Sequence, residues 1–141
     1  MGRSPKEIVL GMMASFDASG RYLASYADDA VWDFAPTAEN PTWARIEGKA
    51  ARQQVHHMTY DRATFLEMTV NTAVAEGPFV AVAYTFRTRG IGQLPGLEAG
   101  APLRIEVVTI YEVRDGLIVA QKQYSGPSLP DADTTTACDG Q

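Results

Sequence analysis

With 141 residues, a net charge of −5, 45% hydrophobic and 21% charged residues, the chain has the make-up of one globular domain that can bury one core and a modest pocket. Lysines and arginines form no basic stripe, and no apolar run approaches the ~18 residues of a membrane-spanning helix, so neither a nucleic-acid nor a membrane partner is expected. Cys138 is the single cysteine: it allows no internal disulfide and no multi-cysteine metal site, and a reducing, cytoplasmic setting is expected.

The chain opens with a basic stretch, but Glu7 and a helical spacing of apolar residues argue against a signal peptide. Ser4-Pro5-Lys6-Glu7 predicts a helix start, with Ser4 as cap, Pro5 at the first helical position and Glu7 completing a capping box. Ile8, Met12 and Phe16 follow at i, i+4 and i+8, an amphipathic stripe. A second short helix is expected from Arg21 to about Ala27. After Asp28-Asp29 comes a short strand, Ala30 to Ala35. Residues 36–47 read as loop, and Gly48 opens a third helix that ends near Tyr60.

Beyond that point the period changes to two. Thr64–Ala75 is a strand candidate, and Glu76-Gly77-Pro78 a turn. Phe79–Arg89 alternates, with Val80, Val82, Tyr84 and Phe86 on one face. Residues 90–102 form a long Gly/Pro loop without the spacing of a phosphate loop. Leu103–Val113 alternates again, placing Ile105, Val107, Thr109 and Tyr111 on one face. Asp115-Gly116 predicts a tight hairpin, because both residues accept positive φ. A last strand runs from Leu117 to about Tyr124. Residues 126–141 are rich in Pro, Asp and Thr and read as a disordered tail; residues 1–125 make one domain. Helices on one side of a curved, antiparallel or mixed sheet give an α+β cone with an apolar pocket at its mouth.

The stretch YADDAVWDF, the glycine opening the third helix and the ending IYEVRDGLIVAQKQY together resemble the nuclear transport factor 2-like superfamily, in its SnoaL-like and limonene-epoxide-hydrolase-like branch. The resemblance covers roughly residues 6 to 125. It implies a three-helix cone, and it is open as to activity, because the superfamily holds isomerases, dehydratases, polyketide cyclases, epoxide hydrolases and binders without activity. The place of the proton-shuttling Asp of ketosteroid isomerases falls on Phe34, and that of their oxyanion-hole Tyr on about Met12, which has no proton to donate. The charged groups of limonene epoxide hydrolases fall on Tyr84, Phe86 and Gln123, and their water-holding residues on Phe34 and Trp32. In polyether epoxide hydrolases and cyclases an Asp works with a Glu; here Glu67 stands near the second place and Asp33 one residue from the first.

Two readings of Asp33 follow. A regular strand turns it away from Trp32 and Phe34. A β-bulge would turn it inward to pair with Glu67 as acid and base. His56 and His57 are adjacent on a helix and cannot chelate together, and no metal site is expected. Tyr84 and Gln123 are candidate hydrogen-bond donors in catalysis, with Asp33 and Glu67 as the alternative pair. Trp32, Phe34, Phe86, Val107, Thr109, Tyr111, Tyr26 and Met12 are expected to shape a pocket for a bulky apolar substrate. The first expectation is a cofactor-independent cyclase acting on a polyketide, polyene or terpenoid. An epoxide-opening enzyme using Asp33 and Glu67, a ketosteroid-isomerase-like enzyme, and a binding protein without turnover stand beside it. The half-apolar outer sheet face, with Ala81, Ala83, Val108 and Ile110, suggests a homodimer.

Overall fold

Ser4 caps the first helix as its sequence dictates. Its hydroxyl accepts the Glu7 N–H at 3.2 Å, and the Glu7 carboxylate accepts the Ser4 N–H at 2.8 Å. The structure, a computed structural model, describes residues 2–17, 19–38, 40–60, 65–89 and 102–131. Helix α1 (Pro5–Ala14) buries Ile8, Val9, Met12 and Met13 against the strands of the sheet's concave side. Burying each such side chain contributes roughly 1.5–3 kcal/mol. A 3-10 turn, Arg21–Ser25, follows and buries Tyr22 and Leu23.

The strands are β1 (Tyr26–Phe34), β2 (Ala44–Glu47), β3 (Phe65–Glu76), β4 (Phe79–Arg89), β5 (Pro102–Arg114), β6 (Leu117–Ser125) and β7 (Leu129–Pro130), and helix α2 (Lys49–Tyr60) lies between β2 and β3. The sheet runs β2-β1-β6-β5-β4-β3, with β7 added beside β5. Only β1 and β6 pair in parallel, so the sheet is mixed. Register shifts in β1, β3 and β5 mark bulges, each of which raises local twist and curves the sheet over α1. The α+β cone expected from the sequence is the fold, with two α-helices and one 3-10 turn in place of three helices. None of the described helices is long and apolar enough to cross a membrane.

Three parts of the sheet differ from the sequence reading. Strand β1 begins at Tyr26, not Ala30: the six residues Tyr26 to Val31 span only the three from Ile118 to Ala120 of β6. This bulge lets Asp28 and Asp29 face solvent while Tyr26, Ala30 and Trp32 all turn inward. Residues 44–47, read as loop, form β2 on the open edge of β1. Gly48, at φ 92°, then breaks the strand and donates its N–H to the Ala30 carbonyl at 2.8 Å, which starts α2 against β1. Leu129–Pro130, expected in the disordered tail, pairs with Leu103 and Arg104, because β5 extends past the end of β6 and leaves an edge there. Asp131 then meets Arg87 at 3.2 Å. The Asp115-Gly116 hairpin takes the expected positive φ at both residues, 52° and 80°. Of the Gly/Pro loop expected over 90–102, Pro102 opens β5 and residues 90–101 lie outside the described residues, as do residues 132–141.

Candidate functional site

Alternation along five paired strands fixes what the concave face presents. One cross-strand row runs Ile46, Trp32, Gln121, Tyr111, Val80. The next runs Phe34, Gln123, Thr109, Val82. Beyond it come Ser125, Val107 and Tyr84, then Ile105, Phe86 and Met68. Met12, Met13 and Phe16 from the α1 side, Tyr22 from the 3-10 turn, and Arg52 and Val55 from α2 roof this face. Together these elements enclose a cavity of about 240 Å³.

The bulge in β1 decides the orientation of Asp33. It falls before Val31, so Val31 to Phe34 run in regular register between β2 and β6. Trp32 and Phe34 therefore line the cavity, and Asp33 lies on the outer face, where Arg45 of β2 holds both its oxygens at 2.8 and 3.1 Å. Glu67 is also turned outward, exposed and cross-strand from Arg87. The structure does not bring Asp33 and Glu67 together: β1 and β3 are separated in the sheet by β6, β5 and β4, and both side chains are on its convex side. The carboxylate pair weighed for epoxide opening is thus not formed, and the ketosteroid-isomerase places hold Phe34 and Met12, neither able to move a proton. Asp33→Asn is expected to leave turnover within about twofold of the parent, since it alters only an ion pair at the surface; steady-state rates of the two proteins check this.

Among the described residues, the cavity lining contains no carboxylate and no imidazole. His56 is fully buried behind it, ring against Phe16 and Tyr22, with its Nδ1 3.3 Å from the Tyr22 hydroxyl. Four phenols face the cavity. Burial pushes Tyr22 up to about 12 and raises Tyr84, with Tyr26 and Tyr111 raised well above the ordinary tyrosine value. All four therefore remain neutral hydroxyls beyond the pH at which tyrosine usually ionises. Tyr26 donates to Gln121 Oε1 and touches Met12 Sδ at 3.8 Å. Tyr84 and Thr109 share a hydrogen bond of 3.0 Å. Gln123 donates one amide N–H to Ser125 Oγ at 3.0 Å and keeps another.

Of the residues expected to shape the pocket, Trp32, Phe34, Phe86, Val107, Tyr111, Tyr26 and Met12 do line it, as do Tyr84 and Gln123. Thr109 does not: fully buried, its short side chain stands behind Tyr84 and orients that phenol. Sequence reasoning missed Arg52, Met68, Tyr22 and Gln121. Gln121 was accessible from the alternation that marked Gln123, two residues on.

The chain belongs to the SnoaL-like domain family, whose model matches residues 13–121, within the nuclear transport factor 2-like superfamily. Among solved structures it is similar to wild-type IdmH of Streptomyces antibioticus, described as a candidate polyketide cyclase, at 25% identity and a TM-score of 0.66, over 99% of this chain and 100% of that one. A candidate isomerase of Bacillus subtilis is 25% identical with a TM-score of 0.66, over 86% of this chain and 85% of that one. A limonene-epoxide-hydrolase-like enzyme of M. tuberculosis shares the fold, at 18% identity and a TM-score of 0.64 over 96% and 87% of the two chains. A search of the curated proteins finds no match.

Proposed function

We propose that this chain is a cofactor-independent cyclase that folds a bulky apolar intermediate of polyketide, polyene or terpenoid type and closes a ring in it by intramolecular bond formation, cycloaddition included. The observation that carries this reading is the character of the cavity: aromatic and aliphatic walls, neutral hydrogen-bonding groups, one cation at Arg52, and no acid or imidazole among the described lining residues. Such a lining can hold a flexible chain in one reactive fold. Proximity and orientation supply as much as about 7–11 kcal/mol in ideal intramolecular cases. It offers no base to activate water. The similarity to a candidate polyketide cyclase over nearly the whole chain supports the same class.

Within the cavity, Tyr84 and Gln123 are the donors to a carbonyl that gains charge as the ring closes. Thr109 fixes the Tyr84 hydroxyl, and Ser125 fixes the Gln123 amide. Tyr26 occupies the Gln121 oxygen, leaving that amide to donate as well. Tyr84→Phe removes one donor without changing the ring's volume. Its kcat/KM for cyclisation of a linear polyene bearing a carbonyl should fall by about 100-fold, the scale of losing one preorganised donor. A rate equal to the parent's would remove Tyr84 from the mechanism. Saturable binding without any ring formation, across polyene and polyketide chains, would leave a binding protein instead.

A homodimer is part of the same proposal. On the convex face Val74 of β3, Ala81 of β4 and Ile110 of β5 form one row, while Val108 and Tyr124 stand side by side in the next, with Trp43 against Tyr124. Val74, Ile110, Val108, Tyr124 and Trp43 are all exposed. These exposed apolar side chains, bordered by Lys122 beside Ile110, suit a second copy around a two-fold axis. The parent should run as a dimer in light scattering and Ile110→Asp as a monomer; a monomeric parent would contradict this.

A further inference from the structure

Arg52 is the one charged side chain among the described residues lining the cavity. It extends from α2 one turn before His56, on the helix face turned to the sheet. Arg21, Arg45, Arg87, Arg104 and Arg114 each pair with an Asp or Glu. Arg52 has no such partner among the described residues, and its Nε is buried without a hydrogen bond. The indole Nε1 of Trp32, a residue only 1% exposed on the same cavity, is also buried without a partner. Both groups are donors only.

A partly buried cation with no carboxylate beside it, set against apolar walls, carries a desolvation cost. The cost is relieved by a ligand that brings acceptors and negative charge, and a guanidinium fork matches a carboxylate best. We infer that Arg52 is the anion-recognising residue of this cavity, assisted by the Trp32 N–H, and that the substrates are apolar chains bearing a free carboxylate. This rests on the cavity being the substrate site. It adds a polar end to an otherwise apolar ligand: the carboxylate is held at α2, and the hydrocarbon lies along Phe34, Phe86 and Met68. The anchored end would also set which part of the chain reaches Tyr84 and Gln123.

The test is calorimetric titration of the whole protein at pH 8 with decanoate and with decan-1-ol, which share an alkyl chain and differ in charge. Decanoate should bind at least about tenfold more tightly, the worth of a charge-assisted hydrogen-bonded pair. Arg52→Gln should lower decanoate affinity to that of decanol and leave decanol unchanged. Arg52→Met, which keeps the apolar stem, should do the same, so that a folding defect in one variant does not decide the matter. Equal binding of the two ligands by the parent overturns the role of Arg52 while leaving the cavity as an apolar site. A preference for decanoate that survives in a folded Arg52 variant overturns it too. Failure of the parent to bind either ligand overturns both this inference and the cavity as the substrate site.

Discussion

Val107→Trp should abolish ring formation, with a fall of at least about 100-fold in kcat/KM, while leaving the fold intact. Val107 faces the cavity from the middle of β5, in register between Tyr84 and Ser125, and is almost wholly buried. A larger side chain there grows into a cavity of about 240 Å³ and not into packed atoms, so the usual penalty of overpacking is small. What it removes is the room in which a substrate chain folds. If catalysis is the holding of a reactive conformer, losing that room forfeits the effect, and tenfold in rate is 1.36 kcal/mol of a contribution of about 7–11 kcal/mol. Circular dichroism and thermal melting should be close to those of the parent. Calorimetric titration with an apolar ligand should lose its signal in parallel with the rate. Turnover that persists in a folded Val107→Trp protein would mean that the chemistry occurs elsewhere.

Trp32→Ala should be the most destabilising single change on this face, at about 3–5 kcal/mol. The indole is 1% exposed, stacks on Tyr26 with centroids 4.8 Å apart and planes 30° apart, and lies between Ile46 and Gln121 on the neighbouring strands. No hydrogen bond is lost, because Nε1 has no partner. The cost is that of transfer and of the void left behind, together with an aromatic pair worth about 0.5–1.5 kcal/mol. The void joins an existing cavity that water can enter, which places the expected value near the lower end, about 3 kcal/mol. For a domain of this length that lowers Tm by roughly 10 °C. Urea unfolding followed by circular dichroism measures it; a loss below about 1 kcal/mol would contradict this packing.

How much of this was legible in the sequence follows from the range of the forces involved. Helix α1 could be read to its first residue because a capping box is local chemistry, completed within Ser4 to Glu7. The inward faces of β4 and β5 could be read because a strand buried on one face repeats every two residues. The same alternation, carried over Trp32, Asp33 and Phe34, is the regular reading of that stretch, and the geometry follows it. Strand β2 could not be read: Ala44-Arg45-Ile46-Glu47 is short and half polar, and only the open edge of β1 makes it a strand. The start of β1 was hidden by its bulge, which breaks the period of two between Tyr26 and Val31. Strand β7 depends on the overhang of β5 past β6, a matter of register between distant segments. Arg52 escaped because a cation on an amphipathic helix ordinarily faces water. Only the placement of α2 over the mouth of the sheet turns it inward, and with it the polar half of the site. Thr109 had the right parity and still fell behind Tyr84, because parity sets direction and not reach.

The most direct test of the central claim is the mass of the product formed from a linear polyene carboxylic acid in water enriched in oxygen-18. Ring closure directed by the concave face, with Asp33 and Glu67 outside it, should give a product of the same mass as the substrate and without solvent oxygen. A product heavier by one labelled water would contradict the account, for it would require a base that activates water where the cavity presents only neutral donors and Arg52.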